Sequence, residues 1–229
     1  MSIFAIADPH LSFSENIEKP MDVFGNKWSG HIEKLQKNWK ATVSEKDTVI
    51  VAGDISWAMK LTDALPDLDF LAALPGRKIM IKGNHDLWWS GINKLNGLYE
   101  NIDFLQNSHF EAEDHAICGS RGWTCPGGGE DFTKEDEKIY RRELLRLEMS
   151  LQSATAKGSK NMIGAIHFPP TNDRFERSGF TDLFAGYRVK TVVYGHLHGV
   201  NNGFEGEIDG VQYRMVTVDH TNFMPMKLI

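Results

Sequence analysis

Two cysteines, Cys118 and Cys125, are too few for a disulfide scaffold, and without a secretory leader free thiols are the expectation. Basic excess is missing as well. The 229 residues carry a formal charge of −6, which leaves no footprint for extended nucleic acid. A small anion is not excluded, because bound cations invert the charge of a site. No apolar run approaches the roughly 20 residues that cross a bilayer. The stretch Met1 to Asp8 lacks a basic region and its apolar run ends at a carboxylate, so it reads as a buried first strand and not as a signal peptide. Internal repeats and low-complexity tracts are also absent. What remains is a cytoplasmic globular protein with no membrane partner; the sequence carries no signature of oligomeric state.

A hydrophobic content of 41% and a charged content of 24% are ordinary for such a protein, and the length favours one domain over residues 1–229. Short β-branched runs at Ile3–Ala7, Thr48–Ala52, Lys78–Ile81, Ile117–Gly119, Met162–Ile166 and Thr191–Tyr194 show little alternation, as strands covered on both faces do. Helical spacing joins Ile32, Leu35, Trp39 and Val43, with Ser29 as the expected N-cap. Leu61–Leu74 is helical in composition, provided Pro66 sits in a first turn or breaks it. Thr133–Lys157 gives the longest helical pattern, stopped by Gly158. It lies in an insert at about residues 121–158, opened by the loop Cys125–Glu130. Gly203–Ile208 and Gln212–Val218, joined across Asp209-Gly210, read as an antiparallel hairpin.

Metal-ligating chemistry recurs at the ends of the apolar runs: Asp8-Pro9-His10, Gly53-Asp54, Gly83-Asn84-His85-Asp86, His167, and Gly195-His196-Leu197-His198. Five of the nine histidines fall in these stretches, while His31, His109, His115 and His220 read as structural or exposed. Ligands gather beyond the carboxyl ends of strands in α/β sheets, so one topology brings all five loops to a single edge. Taken in order the stretches supply three oxygen donors and four imidazoles, enough to hold two divalent cations. Oxygen and imidazole donors without thiolate suit manganese or iron, and zinc also fits.

The ordered set Asp-x-His, Gly-Asp, Gly-Asn-His-Asp, His, Gly-His-x-His resembles the calcineurin-like metallophosphoesterase superfamily, over residues 8 to 198. The resemblance implies an α/β fold in which two mixed β-sheets pack as a sandwich flanked by helices, four layers α/β/β/α, with a dinuclear centre at the sheet edge. It implies one cation on Asp8, His10 and His198, a second on Asn84, His167 and His196, and Asp54 bridging both. One position departs from the pattern: Trp57 stands three residues after Asp54, where many members carry Asp or Arg. In phosphoprotein phosphatases the acid there orients the active-site histidine; here Asp86 is the available substitute, a catalytic residue in that reading.

The expected reaction is hydrolysis of a small phosphomonoester or phosphodiester by a hydroxide bridging the metals. His85 is left unassigned by the ligand set and becomes the general acid. Asn84 can ligate through its carbonyl oxygen and turn its amide nitrogen to the phosphate. Arg121, Arg174 and Arg177 are candidate phosphate contacts, in loops 121–135 and 169–180 that would set specificity. For Arg121-Gly122-Trp123 the competing reading is an edge arginine with a core tryptophan. Arg141 and Arg142 read as a solvated face, and Trp88 and Trp89 as packing for the metal loop. A nuclease of the same superfamily and a non-catalytic scaffold with the same fold are the other functional readings.

Overall fold

The computed structural model describes residues 1–19, 21–129, 131–199 and 203–229. Glu130, the last residue of the expected loop Cys125–Glu130, lies outside them. The described elements run β1 (Ile3–Ile6), α1 (His31–Thr42), β2 (Thr48–Ala52), α2 (Leu61–Ala72), β3 (Arg77–Ile81), α3 (Ile92–Leu95), β4 (Ile102–Phe104), β5 (His109–Ala112), β6 (His115–Ser120), α4 (Lys134–Ala156), β7 (Met162–Ile166), α5 (Gly179–Gly186), β8 (Thr191–Tyr194), β9 (Gly206–Ile208), β10 (Val211–Met215) and β11 (Met226–Lys227). Two short 3-10 helices, Met21–Phe24 and Asn26–Trp28, precede α1.

Two mixed sheets form from these strands. The first has the order β11-β1-β2-β3-β4, parallel except for β11. In the second, β5-β6-β7-β8-β10-β9, only the outer strands run antiparallel. The inward-facing residues Ile3, Ala5, Ile50, Ala52, Ile79 and Ile81 of one sheet meet Ile117, Ile163, Ala165 and Val193 of the other. Alternate residues point outward, as the period of two requires. Phe4, Ile6, Val49, Val51 and Met80 pack under Leu35 and Trp39 of α1 and Leu68 and Leu71 of α2. Cys118, Ile166, Val192, Tyr194 and Tyr213 pack under Leu147 and Leu151 of α4 and Phe180 and Phe184 of α5. The architecture is the four-layer α/β/β/α sandwich.

Register decides where the loops emerge. Ile6 pairs with Val51, Ala52 with Ile81, and Ile166 with Tyr194, so parallel neighbours end level with one another. Both cysteines are buried free thiols. No helix among the described residues is long and apolar enough to cross a membrane.

Two expectations about helix ends change. Ser29 caps nothing with its side chain; it closes the 3-10 turn Asn26–Trp28, and α1 starts from Gly30 at φ 61°. Pro66 neither occupies the first turn of α2 nor ends it. It sits on the exposed face, where water can satisfy the Thr62 carbonyl that lacks its usual donor. The hairpin turn is as expected, with Asp209 at φ 51° and Gly210 at φ 80°, the left-handed pair of a two-residue turn. Gly158, at φ 81°, follows α4.

The amino terminus of α4 carries a reciprocal cap. Thr133 Oγ1 accepts from the Asp136 N–H at 3.1 Å, and Asp136 Oδ2 accepts from the Thr133 N–H at 3.0 Å. Thr133→Ala is expected to cost about 1 kcal/mol and lower Tm by roughly 2–4 °C in thermal unfolding. An unchanged Tm would show that packing alone holds this end.

Candidate metal centre

Beyond the strand ends the first two loops stay paired. Asp8 N–H donates to the Gly53 carbonyl at 2.9 Å, His10 N–H to Asp54 at 3.1 Å and Leu11 N–H to Ile55 at 2.9 Å. Asp8, His10, Asp54 and His196 all hold left-handed backbone, at φ 61°, 47°, 49° and 75°. Four such non-glycine residues in one place are strained, and strain of this kind clusters at functional sites. The flanking glycines are needed for close approach. A Cβ at Gly83 would overlap Asp54 Oδ1, and one at Gly195 would overlap Asp8 Oδ2.

Asp8, His10 and His198 bring one ligand atom each within 4.8 Å of one another, and so do Asp54, His167 and His196. In the first group His10 Nε2 faces His198 Nε2 at 3.2 Å, and His198 Nε2 lies 3.5 Å from Asp8 Oδ1. His198 donates from Nδ1 to Asp219 Oδ1 at 2.9 Å, which turns its Nε2 lone pair inward. In the second group Asn84 Oδ1 lies 2.8 Å from His167 Nε2 and 2.9 Å from His196 Nδ1. His167 donates from Nδ1 to the Ala52 carbonyl at 3.0 Å, again leaving Nε2 for the centre. Asp54 Oδ2 stands between the groups, 3.4 Å from His167 Nε2 and 3.9 Å from His10 Nε2. Carboxylates, an amide oxygen and four imidazoles thus face one another across a short span. A donor set of this kind fits divalent cations.

The electrostatics agree. Burial holds the His10 pKa down at about 3, and burial followed by the His167 charge does the same for His196. Burial also opposes charge on His167 and His198, but Asp54 carries the first up to about 9, and Asp219 with Asp8 carries the second up to about 10. Burial disfavours ionised Asp54 too, yet the charge on His167 outweighs it and holds the carboxyl below its ordinary range. Protons on His167 and His198 therefore supply positive charge in the protein alone.

All seven expected donors meet here, and His85 stands beside them. Its side chain is 43% exposed, its Nε2 lies 3.9 Å from Asp54 Oδ2, and its ring contacts Trp57 at 4.3 Å. Trp57, the departure from the family pattern, also stacks on His10 at 4.5 Å and 15°. Asp86 corrects an expectation: no hydrogen bond joins it to His85. Its carboxylate is fully buried and accepts from Ile55, Ser56 and Gly83 N–H and from Trp88 Nε1, so it clamps the two loops together. That bond also makes Trp88 packing for the metal loop.

Two of the three candidate arginines are engaged elsewhere. Arg121 turns away toward α4, 3.6 Å from Glu143 and 4.6 Å over the Trp123 ring. Glu143 is fully buried and draws Arg146 at 3.0 Å too, whereas Arg141 and Arg142 stand exposed on the solvated face expected for them. Arg177 pairs with Asp182 at 2.7 Å and Asp209 at 3.2 Å on the surface. Arg174 is exposed, with no side-chain bond or ion pair among the described residues. His109, His115 and His220 form peripheral pairs with Glu111, Asp114 and Glu205.

Asp219 escaped the sequence reading. Its signal was present: Val216 and Val218 lead into it much as apolar runs lead into Asp8 and Asp54. Asp219 also accepts the Gly199 N–H at 2.8 Å, and His198 keeps its pKa down at about 2 against the effect of burial.

Asp219→Ala should weaken manganese binding about 10–100-fold in a metal titration, since the ring it orients loses its partner. Wild-type affinity in that titration would exclude the orienting role. Because the raised pKa values of His167 and His198 mean that a cation displaces protons, affinity should rise by roughly one to two powers of ten per pH unit between about pH 6 and 8. Affinity that stays flat with pH would remove both rings from the ligand set.

Similarities to known proteins follow this geometry. No curated protein matches the chain. A protein of unknown function from Aquifex aeolicus shares the fold with a TM-score of 0.54 at 16% identity, covering 99% of this chain and 95% of that one. A phosphopantetheinyl hydrolase from Mycobacterium tuberculosis does so with a TM-score of 0.54 at 14% identity, covering 100% and 95%. A family model described as calcineurin-like phosphoesterase matches residues 1–200 and so takes in every loop of the centre except Asp219. That span, over a four-layer sandwich with two His/Asp groups at its edge, makes the chain a member of the calcineurin-like phosphoesterase family.

Proposed function

We propose that the protein hydrolyses a small phosphomonoester or phosphodiester at two divalent cations. Asp8, His10 and His198 would hold one cation, Asn84, His167 and His196 the other, and Asp54 would serve both. The observation that carries this reading is the position of Asp54 Oδ2, within 3.9 Å of His10 Nε2 and 3.4 Å of His167 Nε2. When bound, such a pair lowers the pKa of water and neutralises phosphate charge. Manganese or iron suits the oxygen and imidazole donors.

The chain's own groups do the rest. His85 stands at the open side of the centre and protonates the leaving oxygen, while Trp57 fixes the plane of its ring. Asn84 presents its amide N–H to a phosphate oxygen while its carbonyl oxygen stays with His167 and His196. Arg121 and Arg177 take no part, being held by carboxylates. Two buried thiols fit a reducing compartment, the cytoplasm.

The test is turnover of nitrophenyl phosphomonoesters and phosphodiesters with added manganese. Phosphopantetheinyl compounds belong in that panel, since a structural neighbour is named for hydrolysing them. His85→Ala should lower kcat about 10²–10⁴-fold with metal content unchanged, whereas Asp54→Ala should lose metal by elemental analysis. Two full metals in the Asp54→Ala protein would refute the shared role, and an unchanged kcat in His85→Ala would remove the acid.

A further inference from the structure

His196 belongs to two features at once. One side of its ring faces the metal centre; the other borders a cleft of about 310 Å³. That volume is at the lower end of small-molecule pockets, about 300–1,000 Å³, and suits one organic group of a substrate, not a polymer.

Aromatic rings shape the cleft. Phe168 stacks on His196 at 4.1 Å and 28°, joining pocket wall to metal ligand without a gap. Phe175 and Phe204 face one another at 5.7 Å along another wall. Phe175 is 44% exposed and its backbone is left-handed at φ 58°. A large apolar ring kept in solvent on a strained residue, beside a catalytic centre, points to a binding role.

The charge of the lining is one-sided. Among the described residues that line the cleft there is no lysine or arginine. Asp173 is the carboxylate of the lining, and it is held in place: the Gly129 N–H donates to both its oxygens at 3.1 Å. A Cβ at Gly128 would overlap Asp173 Oδ1, so the loop approaches this carboxylate as only glycine can. Nothing in such a lining would neutralise a second phosphate or a carboxylate on the substrate.

We infer that this cleft receives the organic group of the phosphoester, and that it selects a neutral or cationic, ring-bearing group against an anionic one. The inference rests on the phosphoesterase reading and narrows it to a substrate class. The cations would take the phosphate, Phe168, Phe175 and Phe204 would stack on the group it carries, and Asp173 would accept N–H donors or repel anions.

Benzyl, methyl and 4-carboxybenzyl phosphate test it on the manganese-loaded protein, because alkoxide leaving groups of similar basicity keep the intrinsic chemistry comparable. Nitrophenyl phosphodiesters bearing the same three groups run in parallel, with one common leaving group. In whichever series is turned over, benzyl should exceed methyl in kcat/KM by about 10-fold or more, and carboxybenzyl should fall below benzyl by a similar factor. Phe175→Ala, at a position 44% exposed, and Phe204→Ala should each lower the benzyl-to-methyl ratio about tenfold. Asp173→Asn should recover part of the carboxybenzyl activity. Turnover with no benzyl preference, or a ratio that neither phenylalanine variant moves, overturns the cleft assignment and leaves the phosphoesterase reading standing. No turnover in either series overturns both.

Discussion

A carboxylate at 2% exposure cannot stay ionised unless cations or donors surround it, and Asp54 is such a carboxylate. Its oxygens reach His10, His85 and His167 and accept the His85 backbone N–H at 2.8 Å. These partners come from the loops after β1, β3 and β7, so this one buried charge ties both sheets to the centre. The sheet containing β1 to β3 supplies Asp8, His10, Asp54 and Asn84, and the other supplies His167, His196 and His198. Small residues between the sheets, Ala5, Ala7, Ala52 and Ala165, let the two halves approach closely enough for the donors to meet. Packing in the middle of the sandwich and chemistry at its edge are therefore the same constraint.

Around the donors lies a layer that fixes which nitrogen of each ring faces inward. Asp219 does this for His198 and the Ala52 carbonyl for His167. Asp86 acts on backbone instead, with three N–H donors and the Trp88 indole holding the loops after β2 and β3 in register. Four donors consume its acceptor capacity, which is why it does not orient His85 despite adjacency in sequence. Trp57 packs its ring against both His10 and His85.

Legibility differed by element for physical reasons. Thr48–Ala52, Met162–Ile166 and Thr191–Tyr194 are β-branched or small and buried on nearly every residue, so their bounds could be read directly. β4 and β11 span three and two residues, too few to show a period, and they exist because a neighbouring strand supplies hydrogen bonds. α5 carries glycine at both ends, and its start depends on Ser178 accepting from Phe180 and Thr181. Pro66 misled because its cost depends on which face of α2 meets water, a tertiary property.

In the site the same division holds. Ligand type and spacing are local: glycine beside Asp54, Asn84 and His196, each just past an apolar run, reveals a metal-ligating loop from sequence alone, because steric crowding near an ion admits few alternatives. The amino-acid order by itself determined the α/β class, the strands that carry the loops and the seven candidate donors at their ends. Only the tertiary structure decided that Arg121 and Arg177 pair with carboxylates, that Asp219 lies behind His198, and that Phe175 and Phe204 wall a cleft beside His196. Those outcomes depend on long side chains choosing among partners distant in sequence, and the choice is made by through-space distance, which strand pairing and sheet packing set.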